Sequence, residues 1–174
     1  MKPNRIRALF ILVFIVGCAA KSYQVVKDNT IPLRTYRTVT VSKISAEEFW
    51  AKNPGLKNDE KWKYQVNRAG DHISGKLTTY FATEWKGETD RGLKIEAHLF
   101  EFDPGSRAAR YFAGFGAGEG RIGYHVTLKD VATSEVVGQL DAYGTLTTGL
   151  FGGDIGTAYD QCANAIIEYV KAKR

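Results

Sequence analysis

The stretch RIGYHVTLKDVATSEVVGQLDAYGTL, residues 121 to 146, decides the fold. Ile122, Tyr124, Val126 and Leu128 alternate with Arg121, Gly123, His125, Thr127 and Lys129. That two-residue period belongs to a strand with one buried face. Val136, Leu140, Ala142 and Leu146 alternate with Val137, Gln139, Asp141 and Tyr143 in the same way. Only Asp130 to Glu135 lies between the two runs, which is short enough for a hairpin.

Reading outward adds the remaining elements. Leu93, Ile95, Ala97 and Leu99 alternate with Lys94, Glu96 and His98, and Asp103-Pro104-Gly105 ends that strand. Thr35 to Ile44 is rich in β-branched residues and reads as another strand. Ser45 and Glu48 have capping-box spacing, so a short helix through Phe49-Trp50 should follow, stopped by Asn53-Pro54-Gly55. Trp62, Val66, Ala69, Ile73, Leu77 and Tyr80 recur at steps of three and four, a helical stripe that Asn58 or Asp59 can cap. Gly70 and Gly75 each cost about 1 kcal/mol of helix propensity, so that helix is expected to be imperfect. Arg107 to Phe115 offers one more strand. Gly149 to Gly153 breaks the pattern, and Asp154 can cap a last helix with Ile155, Tyr159, Cys162, Ile166 and Val170 along one side. The fold class is α+β: a mostly antiparallel sheet of four to five strands with two main helices packed on one face.

The N-terminus reads differently. Lys2, Arg5 and Arg7 precede an unbroken apolar run, Ala8 to Val16. A membrane-spanning helix needs about 20 apolar residues, so this run is too short to cross. A basic start and a short apolar core are the layout of a signal peptide. Ile15-Val16-Gly17-Cys18 resembles the lipobox of bacterial lipoproteins, in which a thiol accepts a diacylglycerol and the chain is cut before the cysteine. Residues 1–17 are therefore expected to be removed, 18–34 to be lipidated Cys18 and a tether, and 35–174 to be one domain. Ala19, not Asp, follows the cysteine, which favours the outer membrane, facing the periplasm.

Charge supports this division. The chain has 24 Lys and Arg against 19 Asp and Glu, a net of +5. Without the three N-terminal bases the net falls to +2. A nucleic-acid partner, which needs a dense basic surface, is not expected. Hydrophobic residues at 44% and charged residues at 25% are ordinary for a folded domain. Two cysteines cannot form a disulfide scaffold or a thiolate zinc site, and Cys162 sits on the helical stripe as a small core residue.

The chemistry-bearing motifs are sparse. Gly114, Gly116, Gly118 and Gly120 recur at every second position, with Glu119 and Arg121 beside them. The third glycine of a dinucleotide fingerprint is missing, and no Lys-Ser or Lys-Thr completes a phosphate loop. In an extended chain these glycines share one bare face, which another backbone, a partner or a ligand could approach. Leu150 and Phe151, between glycines, are either tucked under the sheet edge or a contact site. His98 and His125 fall on polar strand faces and could meet there with Glu96, although their spacing marks no metal site. His72, beside Asp71, is expected to be exposed. No nucleophile elbow surrounds Ser74 or Ser106. No catalytic residue, metal or cofactor is expected.

Three segments together carry a family resemblance: Arg110-Tyr111-Phe112-Ala113-Gly114-Phe115-Gly116-Ala117-Gly118, then Val126-Thr127-Leu128-Lys129-Asp130, then Phe151-Gly152-Gly153 before a closing helix. They resemble the bacterial envelope family catalogued as domain of unknown function 4410, over roughly residues 35–174. That family commonly has Thr-Gly after the Asp-containing turn, where Thr133-Ser134 stands here. The resemblance implies an envelope location and this fold, and supplies no catalytic residue. The expected function is a lipid-anchored interaction domain that binds a protein partner or supports an envelope assembly. A small-ligand or cell-wall binding module using the glycine-rich segment with Arg121 or Tyr124 is the alternative, and a hydrolase the second.

Overall fold

The computed structural model describes residues 22–105, 120–146 and 155–174. Five strands form one sheet: β1 (Tyr23–Lys27), β2 (Tyr36–Val41), β3 (Thr89–Asp103), β4 (Gly120–Asp130) and β5 (Val136–Leu146). Their spatial order is β1-β5-β4-β3-β2. Three neighbouring pairs are antiparallel, and β2 runs parallel to β3. A parallel pair needs a crossover. It is supplied by α1 (Glu47–Lys52) and the long α2 (Glu60–Thr83). The last helix, α3 (Gly156–Ala172), packs on α2 and on β5, β4 and β1. The architecture is the expected α+β sheet with its two main helices on one side.

The core lies between those helices and the inward strand faces. Leu93, Ile95, Ala97 and Leu99 of β3, with Ile122, Tyr124, Val126 and Leu128 of β4, are all at most 2% exposed. They meet Val66, Ala69, Ile73 and Leu77 of α2 and Tyr159, Cys162, Ile166 and Val170 of α3 in one apolar cluster. The helical stripes and strand alternations thus fall where their periods put them. Despite Gly70 and Gly75, α2 is continuous over 24 residues. Tertiary packing outweighs the propensity loss, and Asp59 caps the helix by accepting from the Lys61 and Trp62 N–H groups.

Several expectations need correction. Residues 18–34 are not all tether: β1 pairs with β5, and Leu33 is fully buried with its N–H donated to the Lys173 carbonyl at 2.8 Å. Ala46, not Ser45, stands at the N-cap of α1. Glu48 pairs with Lys52 at 2.8 Å rather than closing a capping box. In β5 the pairing slips between Lys129↔Val136 and Leu128↔Gly138, so Val137 is the extra, fully buried residue and Val136 is only half-buried. The strand expected from Arg107 to Phe115, the Leu150-Phe151 loop and the Asp154 cap lie outside the described residues.

The β4–β5 turn is organised by Asp130. Its carboxylate accepts from the Ala132 and Thr133 N–H groups at 2.8 and 3.0 Å, and the Ser134 N–H donates to its carbonyl. Ser134 has a φ of 59°, the left-handed region that favours glycine. Ser134→Gly is expected to stabilise the domain by about 1 kcal/mol, read as a higher urea midpoint at unchanged slope. A lower midpoint would show that the Ser134 side chain is needed there.

Candidate interaction surface

Among the described residues, no main helix lies on the other side of the sheet. Strand alternation sends Glu96, His98, Glu101, Thr127, His125, Arg121, Gln139, Asp141 and Tyr143 to it. His98 and His125 are directly opposite across β3 and β4, as their polar alternation suggested, and Asp141 faces His125 across β4 and β5. Glu96 takes no part, because Lys94 and Lys129 hold it at 2.9 and 2.5 Å. Those two ammonium groups draw its carboxyl below the usual range. Among the described residues no group of His, Cys, Asp and Glu side chains could hold a metal ion.

The centre of this face is an aromatic and charged patch. A bulge in β3 leaves Phe100 beside Glu101, and its ring stacks on His125 with centroids 4.1 Å apart. Gly123 makes that possible, since a Cβ there would press into the Phe100 ring. Tyr143 meets Phe100 edge-on at 5.8 Å, and Arg121 lies 5.2 Å over the Tyr143 ring while reaching Glu101 at 3.3 Å. His125 Nδ1 lies 2.7 Å from Asp141, and its Nε2 lies 3.6 Å from Glu48 on α1. The Lys52 hydrogen bond, more than the His125 charge, holds the Glu48 carboxyl below its usual range. Burial, with Asp141 beside it, raises the Tyr143 phenol. The short helix α1 thus reaches the open face through Glu48 and packs on the core side through Phe49 against Trp62 and Phe102.

Of the residues singled out from sequence, Gly120 begins β4 and Arg121 lies on the open face; Gly114, Gly116, Gly118 and Glu119 lie outside the described residues, as do Ile15, Val16, Gly17 and Cys18. Tyr124 cannot serve a ligand beside Arg121, because it points inward and is fully buried. His72 is exposed, as expected, and from there reaches Asp160 of α3 at 3.0 Å and lies against the Tyr159 ring. Cys162 is buried, its thiol pushed well up by desolvation and directed at the Ala142 carbonyl at 3.5 Å. It is a core group, not a reactive one.

Among the described residues, fold and surface define an α+β domain with one helix-covered and one open sheet face. The chain belongs to the family described as domain of unknown function (DUF4410), whose model matches residues 38–152. Solved structures that share the fold include the PelC dodecamer from Paraburkholderia phytofirmans and a single-substitution variant of it. The variant matches with a TM-score of 0.51 at 15% identity, covering 87% of this chain and 99% of that one. The other gives a TM-score of 0.50 at 14% identity with the same coverage. No curated protein sequence matches the chain.

Proposed function

We propose that this is a lipid-anchored protein of the bacterial envelope, held most simply in the outer membrane and facing the periplasm. Its domain acts without catalysis, binding a protein partner or supporting an assembly. The observation that carries the reading is Ile15-Val16-Gly17-Cys18 at the end of a basic and then apolar leader. Two or three acyl chains on one residue anchor far more firmly than the single chain that holds only marginally. No described helix is long and apolar enough to cross a membrane. The likeness to dodecameric PelC supports the assembly reading.

The Cys18→Ala chain is expected to move from the membrane fraction to the soluble fraction, and its persistence in membranes would overturn the anchor. The half-exposed Phe100 and Tyr143 beside Arg121 favour a second reading, a small-ligand or cell-wall binding module. Saturable binding of cell-wall fragments, lost in Tyr143→Ala, would favour it over the first.

A further inference from the structure

We infer that the bilayer surface lies against one end of the domain, where β1 begins and α1 leads into α2, with the β4–β5 turn pointing away. The inference rests on the Cys18 anchor proposed above and adds the face that meets lipid. Its basis is a short spacer and the register of the sheet.

Tyr23 pairs with Ala142, Ala142 with Tyr124, and Tyr124 with Leu99. The Leu99 N–H donates to the Ser45 carbonyl, just before α1. These residues form one row across the sheet. The Ser22 carbonyl is still fixed beyond that row, accepting the Tyr143 N–H at 2.8 Å. Cys18 is five Cα steps from Tyr23, a reach of at most about 18 Å. From the same row β5 continues to Leu146, four residues or about 13 Å further. An acylated Cys18 can therefore rise only about 5 Å past the end of β5. A bilayer holding those acyl chains lies within about 18 Å of Tyr23, on the side of this end and away from the β4–β5 turn.

The side chains there suit the contact. Both α1 and the start of α2 lie at this end, because α2 must run back to deliver the chain to the start of β3. Trp50 and Leu56 are half-buried, Tyr64 is 66% exposed, and Lys57 and Lys61 stand beside them. Aromatic rings and lysine stems of this kind settle at headgroup level. Glu47, Asp59 and Glu60 stand among the lysines, so charge does not steer the contact. At the opposite end the β4–β5 turn has no aromatic residue, and Tyr36 and Trp85 are buried there.

The test places a fluorophore on the full lipidated chain through Tyr64→Cys, Val26→Cys or Val131→Cys, all exposed positions. The thioether blocks Cys18, and burial protects Cys162 from the label. Each protein is reconstituted in phosphatidylethanolamine–phosphatidylglycerol vesicles with a nitroxide on the headgroup. Fluorescence should be lost at position 64, partly lost at 26 on the sheet edge and retained at 131. Equal loss at 64 and 131, or the greatest loss at 26, would overturn the orientation. Mass spectrometry of the N-terminal peptide separates the two failures. An acylated, bound chain with the wrong pattern refutes this inference alone, whereas an unacylated, unbound chain refutes it together with the anchor.

Discussion

Gly144→Ala is expected to destabilise the domain by about 3 kcal/mol, the upper end of the cost of forcing one methyl into a packed site. Gly144 lies on the inward side of β5, where a Cβ would overlap the Ala158 carbonyl and its carbon. The obstacle is helix backbone, which cannot rotate away as a side chain can. The approach is built from small groups on both elements. Ala142 and Gly144 on the strand face Ala158 and Cys162, four residues apart on one side of α3. The Thr145 N–H also donates to the Gln161 side chain at 2.9 Å, which fixes the helix at this height. Adding one methyl must lift the first turn of α3 or bend β5, and either opens the contact between helix and sheet. Urea unfolding of the soluble domain reads the effect. A change below about 0.5 kcal/mol, the size of an ordinary surface substitution, would show that the helix can shift freely. Gly75 is the control: a Cβ there meets nothing within 4 Å. Gly75→Ala in mid-helix should instead stabilise by up to about 1 kcal/mol.

The same residues show what sequence reveals and what it withholds. Inward positions of β3, β4 and both main helices follow from periodicity alone, because burial on one face imposes a period on the side chains. β1 was hidden for a physical reason. Only Tyr23, Gln24 and Val25 alternate before the pairing slips at Val26, too short a run to show a period. Its strand character comes from β5, not from its own composition. The open-face patch was half legible. Opposed polar positions bring His98 to His125, but not His125 to Asp141. Counting back from the turn without a bulge would pair His125 with Leu140, setting an outward residue against a buried one. That conflict in alternation is itself a signal that β5 holds an extra residue, and Val137 is that residue. Nothing in the spacing places Glu48 near His125, because the position of α1 is set by its packing on Phe102 and Trp62.

Asp130→Ala is expected to cost about 3 kcal/mol at neutral pH, because it leaves two turn N–H groups and the partly exposed Arg91 guanidinium without their acceptor. Asp130 is 1% exposed, yet its carboxylate is fully engaged. Besides the two turn N–H groups, it accepts from Arg91 Nε at 3.0 Å and Nη2 at 2.5 Å, and that guanidinium lies 5.2 Å over the Tyr36 ring. One side chain thus ties the β4–β5 turn to the start of β3 and, through Tyr36, to β2. The Thr133 N–H first, and the Arg91 contact after it, bring the carboxyl down from 3.8 to about 2. A depressed carboxylate stabilises the fold above its unfolded value near 4, by about 2 kcal/mol once fully ionised. That contribution fades as pH falls through 4 and is gone below about 2. The urea midpoint of the parent domain should therefore fall steeply between pH 4 and 2. In Asp130→Asn, which keeps the acceptor for the turn but not the charge, the fall over that window should be shallower. Equal slopes in the two proteins would mean that the charge on Asp130 adds nothing, and that its role is only to accept the Ala132 and Thr133 N–H groups.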